Sequence, residues 1–225
     1  MAYLLRLLFV LQAVTNGISV LMHSKSYIMN FNLFSVTTTM IISDSITTKI
    51  NIHSIKSNIN LSEEAVVFKK FPGHTADEMA FYSPKPLADE KPDHVVVVAG
   101  TNDLSRAIQQ RGTVDEYKVV NAILNIARCA RFHGAKKVVV SSVLPRRGYQ
   151  YQRALAEVND LLYMSCIAEE FIFMDNTDIT LAHISNDGVH PNNFGTTILK
   201  YNILNTFRTF NPRLCDFKQE YENSL

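Results

Sequence analysis

Five short runs rich in apolar and β-branched residues constrain the fold more than any other feature of this sequence. The clearest, HVVVVA at residues 94–99, shows no alternation of polar and apolar residues, which predicts a strand buried on both faces. The runs at residues 36–42 and 65–71 precede it, and those at 137–143 and 171–174 follow it. A sheet made of such strands needs helices on both of its faces.

Helical patterns separate these strands. One expected helix begins after Thr75, which has Glu78 in capping-box spacing. A second begins after Thr113, which has Glu116 in the same spacing, and ends at Gly134. Two more are expected at residues 150–168 and 194–210. Residues 46–58 can continue as a helix of mediocre propensity. The three prolines within residues 83–92 predict a loop that cannot be continuous helix.

Strands that alternate with helices imply right-handed crossovers and a mainly parallel sheet. We therefore expect an α/β fold with three α/β/α layers. The chain has 225 residues, about the size at which one α/β domain builds a full core. The expected division is an apolar N-terminal segment at residues 1–30, one domain at 31–212 and a C-terminal tail at 213–225.

The overall composition excludes several classes of function. The formal net charge of +1 offers no broad attraction for nucleic acid, and 47% hydrophobic with 19% charged residues argues against disorder. Three widely spaced cysteines give neither a disulfide framework nor a Cys-x-x-Cys metal pair. The histidines have no metal-ligand spacing, so we expect no metal site. The oligomeric state is not readable from the sequence.

The N-terminal segment is apolar but fits no single targeting signal. Within residues 1–22, Arg6 lies inside the apolar run, whereas a signal peptide carries its positive charge before that run. A membrane anchor would have to carry the same arginine. A signal, an anchor and an appended helix all stay open, and membrane contact is expected only for an anchor. The sparse cysteines favour an intracellular location unless residues 1–22 direct secretion or anchoring.

Polar clusters follow the predicted strands at the edge where parallel α/β proteins bind ligands. They comprise Asp44 and Ser45 after the first strand, Gly73 after the second, Gly100, Asn102 and Asp103 after the third, and Asp187 and His190 before the last helix. Each residue alone is most simply a turn or cap residue. Their joint occurrence at one edge of the sheet indicates a functional site.

The residue types in these clusters form a complete set for acyl transfer. Ser45 is a weak nucleophile that needs a base, and histidine, here His190, is the side chain whose ordinary pKa lies near working pH. Asp187 can orient the imidazole and stabilise the imidazolium. The backbone N–H groups of Ser45 and Gly73, with the side-chain amide of Asn102, can supply three donors to an oxyanion.

Together these clusters resemble the four motifs of the SGNH hydrolase superfamily, also called GDSL esterases and lipases. The matching segments are IISDSIT at 41–47, FPGHT at 71–75, AGTND at 99–103 and DGVHPN at 187–192. The resemblance covers about Val36 to Phe210, with Asp44, Gly100 and Asp103 as supporting residues. It implies a flavodoxin-like fold, a serine esterase acting on a small acyl-ester substrate, an open active site and no cofactor.

One residue departs from the family pattern. The family usually has glycine before the aspartate of its nucleophile motif, where this chain has Ser43. Because glycine eases a tight turn, a serine at this position could alter the geometry of the turn that carries Ser45, and we expect reduced rather than lost activity. Two alternatives to an esterase therefore stay open. One is a catalytically degenerate binding module, and the other is a nucleotide-binding protein that uses the hydroxyl-rich loop after the first strand.

Three cationic or titratable side chains also fall at this edge of the sheet. His74 would sit beside the oxyanion glycine, unlike the other scattered histidines. Arg146 and Arg147 follow the fourth strand and could contact an anionic or sugar-bearing substrate, although a solvated loop is the simpler interpretation.

Overall fold

The computed structural model describes residues 36–57 and 64–210 of the chain. Its strands are β1 (Thr37–Ser43), β2 (Glu64–Lys70), β3 (His94–Val98), β4 (Lys137–Ser141) and β5 (Ile172–Met174). They form one sheet in the order β2-β1-β3-β4-β5, and every neighbouring pair is parallel. This strand order is that of flavodoxin-like folds, so the predicted fold class is confirmed.

Helices cover both faces of the sheet. They are α1 (Ile52–Lys56), α2 (Ala76–Tyr82), α3 (Pro84–Glu90), α4 (Thr101–Arg111), α5 (Glu116–Phe132), α6 (Tyr149–Ala168) and α7 (Asn193–Phe210), with 3₁₀ turns at Ser45–Thr47 and Leu181–His183. Helices α2 to α6 bury their apolar residues against one face, and α1 and α7 bury theirs against the other. The predicted three layers are therefore present.

Strand residues alternate between the two cores. In β1, Met40 and Ile42 pack with the α2–α6 layer, while Ile41 between them packs with α1 and α7. All three side chains are fully buried. This double burial explains why the strands read as continuous apolar runs.

The predicted loop at residues 83–92 is wrong, because residues 84–90 form helix α3. Pro84 is the first residue of this helix and Pro86 lies in its first turn. The first four backbone N–H groups of a helix have no partner within it, so proline loses no hydrogen bond there. The helix ends at Lys91, which adopts a left-handed conformation, and Pro92 follows it.

Two further helix predictions need correction. The long helix α5 does not use Thr113 as its cap, since it begins two residues later with the Asp115 carboxylate accepting from the Lys118 N–H. The expected helix over residues 46–58 is instead the 3₁₀ turn at Ser45–Thr47 followed by α1. Asn51 caps α1 by accepting from the His53 N–H, and this local side-chain bond interrupts a continuous helix.

The ends of the chain lie outside the described residues. The predictions for the segment at residues 1–30 and the tail at 213–225 fall there, and the domain limits stay predictions. Within the described ranges, no helix is long and apolar enough to cross a membrane.

Candidate active site

Ser45 lies at the carboxyl edge of the sheet, in the turn directly after β1. Asp44 is extended and caps this 3₁₀ turn, with Oδ1 accepting from the Ile46 N–H at 2.9 Å. The Asp44 N–H donates to the Val98 carbonyl of β3, which ties the turn to the centre of the sheet. Ser45 itself is half-buried, between the buried residues Asp44 and Ile46, so its hydroxyl remains reachable.

The loop before α7 brings His190 to this serine. The imidazole Nε2 lies 3.0 Å from Ser45 Oγ, and Nδ1 lies 2.8 Å from Asp187 Oδ2. Residues 145 positions apart thus form one hydrogen-bonded chain. The geometry of this chain, Ser to His Nε2 and His Nδ1 to Asp, is that of a nucleophile, a base and an orienting acid.

Asp187 is held by more than the histidine. Its Oδ1 accepts from the N–H groups of Val189 and His190 and from the hydroxyl of Ser185. These bonds, the one from Val189 first, hold the pKa of the Asp187 carboxyl well below its usual range. The carboxylate is therefore ionised at neutral pH although it is exposed, which suits an acceptor that fixes the imidazole tautomer.

Two of the predicted oxyanion residues, Gly73 and Asn102, are brought together by a hydrogen bond. Asn102, in the first turn of α4, donates from Nδ2 to the carbonyl of His74 at 2.9 Å, next to Gly73. Gly73 needs the left-handed backbone conformation that glycine allows, with φ of 77°. The backbone N–H groups of Ser45 and Gly73 donate to no other described residue, which leaves both available to a ligand.

Asp103 and Gly100 support this arrangement. Both carboxylate oxygens of Asp103 accept from the Ala76 N–H, at 2.9 and 3.1 Å, and so join the start of α4 to the start of α2. Burial raises the pKa of Asp103 to about 6. Gly100 has a φ of 112°, and a Cβ there would lie 2.7 Å from Val143 Cγ2. Only glycine fits this turn.

Asp44 is the most deeply buried charged group of the site. Its side chain is fully buried, and Oδ2 has no hydrogen-bond partner among the described residues. Burial raises the pKa of the Asp44 carboxyl to about 7. Asp44 therefore acts as a structural cap of the nucleophile turn, and its pKa places its titration near neutral pH.

Ser43 does not strain the nucleophile turn. It is the last residue of β1 and is not among the described non-glycine residues with positive φ, so its position does not require glycine. Its fully buried hydroxyl donates to the Asp44 carbonyl at 3.0 Å and accepts from Thr47 Oγ1 at 2.8 Å. The backbone conformation at this position is therefore open to residues other than glycine, and the serine hydroxyl makes two local hydrogen bonds.

The two arginines after β4 occupy different environments. Arg146 is buried, with 7% of its surface exposed, so the interpretation as a solvated loop is wrong for this residue. Arg147 is exposed, and its backbone N–H donates to the Gly188 carbonyl between Asp187 and His190. The His74 ring lies 3.1 Å from the Pro72 carbonyl and stacks edge-on against Tyr82.

Sequence reasoning missed Ser185 and the role of Arg147. Ser185 lies two residues before Asp187, and its hydroxyl bonds that carboxylate. The segment Ser-Asn-Asp-Gly at 185–188 is a strong turn signal, which could have indicated such a side-chain contact. Among the described residues, no group of three His, Cys, Asp or Glu side chains could hold a metal ion.

The fold and the site define a class: flavodoxin-like α/β/α proteins that carry a Ser–His–Asp chain at the carboxyl edge of the sheet, beside an asparagine and a glycine. This is the fold of the SGNH hydrolase superfamily, and the resemblance seen in the motifs is confirmed at the level of the fold.

Solved structures carry this conclusion. A GDSL-like lipase from Bacteroides thetaiotaomicron is 18% identical, with a TM-score of 0.62 over 77% of this chain and 89% of its own. A lipase/acylhydrolase from Enterococcus faecalis is 18% identical, with a TM-score of 0.65 over 78% and 97%. A carbohydrate esterase family 3 protein from Talaromyces cellulolyticus is 17% identical, with a TM-score of 0.64 over 78% and 98%. No family model and no curated protein matches the sequence.

Proposed function

We propose that this protein is a serine hydrolase that cleaves carboxylic esters, with Ser45 as nucleophile, His190 as general base and acid, and Asp187 as the residue that orients His190. The observation that carries the proposal is the unbroken chain from Ser45 Oγ through the imidazole to Asp187. Its fold, shared with lipases, acylhydrolases and esterases, supports the same reaction class.

The first half of the reaction acylates the serine. Nε2 of His190 takes the hydroxyl proton as Ser45 Oγ bonds to the ester carbonyl carbon, and the carbonyl π electrons become an oxyanion. The free N–H groups of Ser45 and Gly73, with Asn102, would stabilise this charge. Collapse of the intermediate breaks the bond to the alcohol oxygen, which takes the proton from His190.

Water completes the cycle by the same steps. His190 removes a proton from water as its oxygen bonds to the acyl carbon, and the returning proton releases Ser45 with the free carboxylic acid. We further propose a short acyl group, because the loops that connect the strands and helices of this chain are short. The alcohol portion of the substrate is left open by these contacts.

The two alternatives lose their main support. The degenerate binding module drew on Ser43, whose unstrained conformation favours an intact nucleophile turn. The nucleotide-binding reading drew on the hydroxyls after β1, but Ser43 and Thr47 bond each other and Ser45 faces His190. The nucleotide-binding alternative also leaves the Asp187–His190 contact unexplained.

Turnover of p-nitrophenyl acetate by the full chain tests the proposal. Ser45→Ala should lower kcat on the order of 10⁴-fold or more, because it removes the atom that forms the acyl bond. Ser57→Ala, a change at an exposed serine near α1, is the matched control and should keep the wild-type rate. Equal rates for Ser45→Ala and wild type, with both proteins folded, would refute the mechanism.

A further inference from the structure

Two consecutive arginines after β4 bond the main chain on the two sides of the site. Arg146 Nη1 donates to the carbonyl of Thr101 at 2.7 Å, and Thr101 is the residue before Asn102. Arg147 donates from its backbone N–H to the Gly188 carbonyl at 2.8 Å and from Nη2 to the Ile184 carbonyl at 3.1 Å. One arginine thus contacts the oxyanion side and the other contacts the acid–base side.

The Arg146 side chain is fixed by its surroundings. Its guanidinium lies over the ring of Tyr151 at 4.7 Å, and its own carbonyl accepts from Gln152 Nε2 at 2.8 Å, both on α6. No described carboxylate forms an ion pair with it. Because only 7% of the surface of Arg146 is exposed, water cannot readily replace its bond to Thr101.

Arg147 is one of the residues that hold the loop before α7 from outside, together with Lys49, which donates to the Pro191 carbonyl. The Ser185 N–H donates to the His190 carbonyl, and Ile184 pairs with Pro191, so residues 184–191 form a closed hairpin-like loop. Arg147 reaches this loop at two carbonyls, and its side-chain stem lies over Gly188, where a Cβ would be 3.3 Å from Arg147 Cβ. These contacts set where the loop sits relative to β4.

We propose that Arg146 and Arg147 are positioning residues that together set the placement of Asn102 relative to His190. The inference rests on the proposed function, since it assigns them a role in the same ester hydrolysis without contact to the reacting atoms. Catalytic groups must be held within a fraction of an ångström, and the loop between β4 and α6 contacts both halves of the site through adjacent residues.

Crossed double-mutant cycles on p-nitrophenyl acetate separate this role from general destabilisation. Arg146→Met and Arg147→Met should each lower kcat about tenfold, less than the hundred- to thousandfold cost of losing an oxyanion donor. Arg146→Met should cost under about twofold once Asn102→Ala is present, and Arg147→Met likewise with Asp187→Asn. The crossed pairs, Arg146→Met with Asp187→Asn and Arg147→Met with Asn102→Ala, should be additive.

A conservative variant of Arg146 keeps the test decisive if the methionine variant fails to fold. Arg146→Lys retains a donor for Thr101 but loses the planar group that lies over Tyr151, so it should recover part of the lost kcat, with KM unchanged. Arg153→Met, at a guanidinium with 90% of its side chain exposed, is the matched control and should keep full activity. Full activity in the Arg146 and Arg147 variants, or additivity in all four pairs, overturns the inference. Loss of the Ser45 dependence would instead overturn the proposed function.

Discussion

Replacement of Asp44 by asparagine tests whether the buried carboxyl under the nucleophile turn carries the burial penalty that the structure gives it. Asparagine has nearly the same shape and keeps an oxygen that can accept from the Ile46 N–H. The variant therefore removes the ionisable group while it preserves the cap of the 3₁₀ turn. Stability, not activity, is the quantity to follow.

The sign follows from the two pKa values of Asp44. In the unfolded chain the carboxyl loses its proton near its ordinary pKa of 3.8, whereas in the folded protein burial raises the pKa to about 7. Between these values the folded state binds the proton and the unfolded state does not. The free energy of unfolding should therefore fall as the pH rises from about 4 to about 7, and then level off.

The magnitude follows from the width of that window. Each pH unit of difference corresponds to about 1.4 kcal/mol, so the full penalty approaches about 4 kcal/mol above pH 7. At pH 5 only about the first third of it is present. Asp44→Asn should thus gain about 2 to 3 kcal/mol over wild type on going from pH 5 to pH 8.

Urea unfolding at pH 5, 6, 7 and 8 measures this difference directly. Glu78→Gln provides the control, because Arg106 lowers the pKa of Glu78 to about 2, so this carboxylate is already largely ionised in both states above pH 5. That variant should be less stable than wild type by nearly the same amount at all four pH values. If the stability curves of wild type and Asp44→Asn ran parallel from pH 5 to 8, the reasoning about burial would be refuted.

Four further variants test the candidate site and its scaffold. His190→Ala should lower kcat more than Asp187→Asn does, because a Ser–His pair retains part of its effect without the acid, and steady-state rates on p-nitrophenyl acetate decide the order. Asn102→Ala should lower kcat about a hundred- to a thousandfold with little change in KM, as expected for an oxyanion donor. Gly100→Ala should destabilise the protein by about 3 kcal/mol or more, measured by urea unfolding, because its Cβ would overlap Val143 at a φ of 112°.

Sequence patterns predicted the sheet and the site for a physical reason. The apolar runs of strands such as β3 reflect burial on both faces, a property that each strand carries locally. In a parallel sheet the carboxyl ends of the strands share one edge, so the residues after β1 and β3 had to lie close together. The placement of Ser45 and Asn102 at one edge therefore followed from topology alone.

The features that sequence reasoning missed depend on position within an element or on long-range contacts. Helix α3 tolerates Pro84 and Pro86 only because both lie in its first turn. The amino-acid sequence of residues 83–92 does not show where the helix begins, so this could not be predicted. The burial of Arg146 depends on Thr101 and Tyr151, residues that are distant or not recognisable as partners in the sequence. An arginine in a loop is usually exposed, which favoured the wrong interpretation.

Ser43 is a residue whose effect the sequence pattern suggests wrongly, because the family pattern alone makes it look like a defect in the nucleophile turn. Ser43→Gly should not raise kcat by more than about twofold, since the backbone at this position already has an ordinary conformation that needs no glycine. It should destabilise the protein by about 1 to 3 kcal/mol, because the buried hydroxyl of Thr47 would lose its acceptor. Thr47→Val removes the same bond from its other end and should cost less, since Ser43 keeps its bond to the Asp44 carbonyl. A tenfold rise in kcat for Ser43→Gly at unchanged stability would show that the serine does strain the nucleophile turn.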